Sequence, residues 1–328
     1  MKIKNLLLLI VAGVITYSCS DNVQLKPTIS GKAGEVVVVI NKGQWESDPG
    51  IALRTLLGQD EPFLPQREPM FTLINIPEAA FTNIFKTHRN IVIVKILPDL
   101  KESKIVYQVD VWAAPQIVVT ISAPSQEAAA KLINEQQEKL LSSLEQAERN
   151  RNIQNARKYE ERGLRELVNN MFGGSPYFPK GYSLRKQTGD FIWISYETTY
   201  TNQGVLVYKV PFTDSTMFSL ENLLSIHNKM LQYNVPGPLK NTYMTTAMRE
   251  IAPSERWVSY KGRTFAEVKG LWEVYNDFMG GPFTIHAFLD KERKNMIVLE
   301  AFVYAPRFEK RNYMRQVESL LYSYEEGK

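Results

Sequence analysis

The sequence predicts an α+β fold, with two units of mainly antiparallel sheet, each covered by helices, joined by a long or broken helix. Three observations carry this. Short β-branched runs recur through both halves of the chain, such as "EVVVVIN" and "QIVVTIS". Several fall in pairs separated by turn residues, which reads as hairpins. Long stretches with helical apolar spacing are few and stand between these groups.

In chain order, "EVVVVIN" at 35–41 is a buried-strand run bounded by Gly34 and Gly43, and residues 45–57 read as a helix ending at Gly58. "FTLINI" at 71–76 alternates, and Pro77 suits the first turn of a helix through Ala80 and Phe85. "NIVIVKI" (90–96), "KIVYQVDVWA" (104–113) and "QIVVTIS" (116–122) are three further strands, with Pro115 placing a hairpin or bulge between the last two. Ser125 fits the N-cap of a helix that meets no Pro or Gly before Gly163. Apolar positions thin out at Asn150–Asn155, so a bend or break is expected there.

In the second half, strands are expected at 183–187, 190–198, 204–210, 242–249, 256–260, 264–275, 282–290 and 295–305. Ser219 caps one helix, and Glu309 to Tyr324 forms the last. The stretch strand–Ala–Pro–helix occurs at Ala123-Pro124 and again at Ala305-Pro306, an echo that raises the question of duplication. The expected domains are 35–148 and 149–328.

Length and composition allow a full core without staples: 328 residues, 44% hydrophobic. Lys and Arg total 39 against 35 Asp and Glu, a net charge of +4 spread over the chain. A nucleic-acid partner would need a clustered basic face, so none is expected. His88, His227 and His286 have no second ligand at i+3 or i+4, so neither a metal nor a cofactor is expected. His88 reads as a cation at a helix end, His227 as mid-helix and His286 as a sheet-face residue. "FGGSP" and "MGGPF" lack the lysine and spacing of a phosphate loop and read as turn-makers.

The first residues read "MKIKNLLLLIVAGVITYSC". Lys2 and Lys4 precede an uncharged run from Leu6 to Ile15, about half of the ~20 residues that a spanning helix needs. This is the anatomy of a signal peptide, assigned to residues 1–18. With Ser18 before Cys19, the segment resembles bacterial lipoprotein signals, although Thr16 and Tyr17 depart from the usual box. The resemblance implies cleavage before Cys19, the single cysteine, and lipid on its sulfur. Each buried acyl CH₂ contributes about 0.8 kcal/mol, enough for several chains to hold a protein to a bilayer. Residues 19–34 then read as a polar tether. Ser20 is similar to the outer-membrane sorting class, which leaves the periplasmic or surface side open.

Residues 254–283 mix aromatics with charge: "SERWVSYKGRTFAEVKGLWEVYNDFMGGPF". Trp257, Arg263, Trp272 and Asp277 are the candidate binding surface, because exposed Trp and Tyr stack sugar rings or anchor partners. The competing reading makes these aromatics core. Glu250, Glu255, Glu267, Glu273 and Asp277 offer an acid–base pair, the alternative of an envelope or polysaccharide hydrolase.

"PYFPKGY", "FIWIS", "KGLWEVYNDFMGGPF" and "FVYAPRFEKRNYMRQVES" resemble landmarks of a domain-of-unknown-function family of lipoproteins from Gram-negative anaerobes. Lys269 stands where that family's landmark has Arg. The resemblance implies an envelope location and transfers no catalytic residue. The expected function is a lipid-anchored, non-enzymatic envelope module whose partners are the membrane, through the lipid, and an envelope protein or glycan.

Overall fold

The computed structural model describes residues 25–327; the expected signal peptide and Cys19 lie outside them. The fold is α+β. The first sheet contains β1 (Glu35–Val39), β2 (Thr72–Ile76), β3 (Asn90–Ile96), β4 (Lys104–Val109) and β5 (Ile117–Ala123), in the order β2-β1-β3-β5-β4. Its β1–β2, β1–β3 and β3–β5 ladders are parallel, and only β4–β5 is antiparallel. The expectation of a mainly antiparallel first sheet is therefore corrected. The reason is visible in the strands themselves. β1, β3 and β5 are continuous apolar runs buried on both faces, which is how parallel strands read.

One face of this sheet packs against α2 (Asp48–Leu57), α4 (Gln126–Glu135) and the start of α5 (Gln137–Lys158), through Leu53, Ile133, Leu140 and Leu144. The other face is covered by Phe81, Phe85, Val111 and Trp112. Phe81 and Phe85 come from a segment where one helix was expected. That segment splits into a 3₁₀ turn at Glu78–Ala80 and the short α3 (Asn83–Lys86). A further single-turn helix, α1 (Lys42–Trp45), precedes α2. Residues 27–30, expected in the tether, are bonded to the body: Ala114 N–H donates to Pro27 O at 3.0 Å and Ser30 N–H to Thr87 O at 2.8 Å.

Ser125 Oγ accepts from Ala128 N–H at 3.2 Å, which caps α4 as expected. The helical stretch breaks at Gln136 (φ −109°, ψ 18°) and not at Asn150–Asn155. Tertiary contacts hold the latter region helical. Arg151 and Ile153 are buried, and Asn152 Nδ2 donates to Ser319 Oγ at 3.2 Å. Thus α5 begins against the first core and ends, with Ile153 and Ala156, in the second.

After α6 (Arg162–Phe172) comes an antiparallel sheet built from β7 (Ser183–Gln187), β8 (Phe191–Glu197), β9 (Asn202–Pro211), β10 (Met244–Ala247), β11 (Ser254–Tyr260), β12 (Arg263–Val274), β13 (Gly280–Leu289) and β14 (Asn295–Tyr304). Its order is β10-β12-β13-β14-β9-β8-β7, with β11 also on β12. A two-stranded pair, β6 (Gly174–Ser175) and β15 (Glu325–Glu326), ties the C-terminus to α6.

Both faces of the large sheet are covered. Ile192, Val207, Ile297 and Leu299 point to α6 and α8 (Arg311–Tyr322), whereas Phe191, Leu206, Tyr208 and Val298 point to α7 (Leu220–Asn234). Successive side chains alternate between faces, so strands apolar at every position must be sandwiched. The Ala-Pro echo does not extend to topology. β5 lies between a parallel and an antiparallel neighbour, and β14 between two antiparallel ones.

The units are tied by charge. Glu68 of the loop before β2 accepts from the N–H groups of Lys310 (2.6 Å) and Arg311 (2.9 Å), where α8 begins. Those donors have no partner within the helix, and a carboxylate suits the positive end of its dipole.

Candidate functional site

An open cleft of about 940 Å³ lies at the end of the sheet where β12 begins and β13 ends. The two-residue turn Lys261–Gly262 (φ +48° and +83°) joins β11 to β12 and forms part of its wall. Both positions need the left-handed region, the geometry that matches strand twist in a tight hairpin. The turn after β13 forms another part. There Asp290 accepts from Lys294 N–H (2.8 Å) and Asn295 Nδ2 (2.7 Å). Burial alone would raise the Asp290 carboxyl, but these donors outweigh it and hold it below its ordinary value.

Trp257 and Arg263 both line this cleft. Trp257 is 58% exposed and rests against Phe218, with ring centroids 5.4 Å apart. Arg263 is half-buried. Its guanidinium donates to the carbonyls of Tyr324 (3.2 Å) and Leu321 (3.1 Å) and lies over Phe288 and Tyr324, 4.9 and 4.8 Å from their centroids. Among the described residues no carboxylate lies within salt-bridge distance of it, and burial pushes it down to about 10. A cation without a counter-ion at the wall of an open cleft is suited to an anionic group.

The other two candidates are elsewhere. Trp272 is core, 3% exposed, and its Nε1–H donates to Val303 O at 3.3 Å. Asp277 is half-buried in the β12–β13 turn, where it accepts from Phe278 N–H at 2.6 Å. Of the four candidates the cleft brings together Trp257 and Arg263, whereas alternation along β12 sends Trp272 to the α7 face and Asp277 lies beyond the far end of β12. Sequence reasoning missed Phe218, Phe288, Asp290 and Tyr322–Glu326, which line the same cleft. They lie in other elements, and only the hairpin registers bring them to one end of the sheet. Recognition of Lys261–Gly262 as a tight turn was the available signal.

None of the five proposed acid–base carboxylates lines the cleft. Glu267 is buried beneath it, facing α8. It accepts from Arg256 Nε (2.6 Å) and Tyr322 Oη (2.7 Å), and His286 Nε2 stands 3.4 Å away. Burial would raise Glu267, but Lys269, His286 and Arg256 hold it far below the carboxylate range. Lys269 in turn pairs with Glu318 at 2.8 Å. The cleft's own Glu325 is engaged by Arg165 (3.2 Å) and Tyr177 Oη (2.7 Å).

His286 and His88 are both buried, and burial pushes both imidazoles below their usual value, against the opposing pull of Glu267 and Glu35. The reading of His88 as a helix-end cation is corrected accordingly. An unfolded chain takes these protons near pH 6.5, whereas the folded one resists them. Stability is therefore complete above about pH 6.5 and declines as pH falls below it, by up to about 1.4 kcal/mol per pH unit for each histidine. Urea midpoints at pH 7.5 and 5.5 test this: the fall on acidification should be smaller in His286→Gln than in the wild type. An equal fall would refute the assignment.

The third histidine is also buried. His227 Nδ1 is 3.1 Å from Thr246 Oγ1, and Nε2 is 3.1 Å from Glu300 Oε1. Thr246 Oγ1 also donates to Asn228 Oδ1 at 2.7 Å. The pair lies between α7 and the sheet, with both side chains fully buried.

Comparison with known proteins gives families without an activity. No curated protein matches the chain. The human StarD13 (DLC2) lipid transfer and protein localization domain is similar at 11% identity, over 48% of this chain and 95% of that one, with a TM-score of 0.23, too low to carry an argument. A family model described as Domain of unknown function (DUF8532) matches residues 29–157, and one described as Domain of unknown function (DUF4837) matches 161–323. The cleft's Trp257 and Arg263 fall in the second match. Along the chain, a stretch similar to DUF8532 is thus followed by one similar to DUF4837.

Proposed function

We propose that this chain is a non-enzymatic binding module of the cell envelope, held to the outer membrane by lipid on Cys19, and that its cleft takes a glycan. The observation that carries the reading is the exposed Trp257 ring, braced by Phe218 at the mouth of a cleft of about 940 Å³. A ring fixed from behind and open in front offers a sugar an apolar face at little entropic cost. Lys261, Lys291 and Arg293 line the same cleft and suit polar or anionic substituents. Hydrolysis has less support, because Asp290 and Glu325 are engaged within the fold.

Two variants test the two halves of the proposal. Trp257→Ala should weaken binding to envelope polysaccharides about tenfold in calorimetry on the full chain, as expected for loss of an aromatic anchor. Unchanged affinity would exclude the cleft as the glycan site, and release of reducing sugar would favour the hydrolase. Cys19→Ala should abolish incorporation of labelled fatty acid and move the protein from the membrane to the soluble fraction. Full incorporation in that variant would end the anchor reading.

A further inference from the structure

We infer that the ligand of the cleft is an anionic glycan, a polysaccharide whose carboxylate or sulfate groups recur along its chain. The inference rests on the glycan reading above and names the class of sugar. Five cations line the cleft against three carboxylates. Of the carboxylates, Asp290 accepts from Lys294 N–H and Asn295 Nδ2, and Glu325 from Arg157, Arg165 and Tyr177 Oη, which leaves Glu326. Of the cations, Arg157 is taken by Glu325. Lys261, Arg263, Lys291 and Arg293 remain, and among the described residues no carboxylate lies within salt-bridge distance of any of them. A wall with an excess of one charge focuses its field into the cleft.

The hairpin registers space these cations. β11, β12, β13 and β14 are neighbours in that order. The Lys261–Gly262 turn and the turn after β13 therefore lie two strand spacings apart, about 10 Å. Lys261 stands on the first turn and Lys291 and Arg293 on the second, all three exposed, with the half-buried Arg263 between them at the start of β12. Lys261 Nζ lies 5.3 Å from the centroid of the Tyr260 ring, which Tyr322 braces edge-on at 5.0 Å. A small anion would meet one turn, whereas a chain of repeated charges meets both. Trp257, on the same cleft, supplies the apolar face for the sugar.

The turns hold their cations against backbone preference. Lys261 and Arg293 have φ of +48° and +56°, the left-handed region, where asparagine or glycine is the usual occupant. Stability alone would favour asparagine at either position, yet both carry a cation that lines the cleft.

Polygalacturonate with its methyl ester, and dextran sulfate with dextran, are the probes; within each pair the backbone is the same and only the charge differs. In calorimetry on the full chain, a charged form should bind about tenfold more tightly than its neutral partner, and more weakly as sodium chloride is raised. The pair that shows the preference identifies the charged group. Lys261→Asn combined with Arg293→Asn should weaken that binding about fivefold, the worth of two exposed charge pairs. The urea midpoint should hold or rise, because asparagine suits both turns. Unchanged affinity in the folded double variant would overturn the inference. So would duplex DNA binding as tightly as the charged polysaccharide, or no binding of either charged form up to about 10 mM. Equal binding of charged and neutral forms, weakened by Trp257→Ala, would overturn this inference and leave the glycan reading standing. Charge-selective binding that Trp257→Ala leaves unchanged would remove both.

Discussion

Replacing Glu148 with alanine is expected to cost about 3–5 kcal/mol of folding stability, the range for removing one partner of a buried ion pair. Glu148 stands on α5 at the joint between the two units and is 3% exposed. It pairs with Arg89 and Arg151, each at 3.0 Å, and accepts from Asn90 Nδ2 at 2.8 Å and Gly34 N–H at 3.3 Å. Without it, the buried Arg151 and the half-buried Arg89 lose their counter-ion, and two donors lose their acceptor. Glu148→Gln keeps the shape and an acceptor but not the charge, so it should fall between alanine and the wild type. Urea unfolding monitored by circular dichroism measures both. A loss under about 1 kcal/mol for the alanine variant would show that this network contributes no more than an exposed pair.

The same residue gives acid sensitivity a sign. Burial would raise Glu148, but Arg151 and Arg89 outweigh it and hold the carboxyl below its ordinary value. Its stabilising contribution is therefore present above about pH 4.3, the unfolded value, and is lost as pH falls toward the folded value. Glu148→Gln should flatten that part of the acid-unfolding curve.

Gly281→Ala should be nearly as damaging, at about 3 kcal/mol, the upper range for overpacking a well-packed interior. A Cβ at this position would lie 2.0 Å from Val303 O and 3.1 Å from Trp272 Nε1. The first contact is with backbone inside the β13–β14 sheet, so relief requires the strands to part. The position also corrects the reading of "MGGPF" as a turn. Gly280 and Gly281 are the first residues of β13, and here glycine serves a close approach of two chains. In "FGGSP", Gly173 (φ +74°) ends α6 as a turn-maker should, whereas Gly174 makes room for Tyr324 Oη, 2.2 Å from where its Cβ would be. Gly163→Ala is the contrast. It lies in α6 with nothing within 4 Å, and alanine there should gain about 0.5–1 kcal/mol. Thermal or urea midpoints that failed to separate these two variants would refute the packing argument.

Much of the element list was legible in the chain because local rules govern it. Ser125 and Ser219 announce helix starts, and each accepts the N–H three residues on. The strands of the second half fall within a few residues of where alternation and turn residues place them. Trp257 and Arg263 stood out as an aromatic beside a charge, and both line the cleft. Trp272 carried the same signature, yet its side of β12 faces α7, and composition has no information about which side of a pleat is open.

By itself, then, the sequence determined the α+β class, the order of most elements and the near-neutral charge, since propensity, periodicity and capping act over a few residues. Tertiary structure decided that the first sheet is mainly parallel: the continuous apolar runs of β1, β3 and β5 suit parallel strands, but β9 and β14 show that antiparallel strands covered on both faces carry the same pattern. It alone held α5 continuous through Asn150–Asn155, where packing against α8 outweighs a weak apolar pattern. And it alone assembled the cleft, whose walls come from α5, three hairpin or loop segments and the C-terminus. Those residues meet through the register of the sheet, a long-range property that no local window of the chain contains.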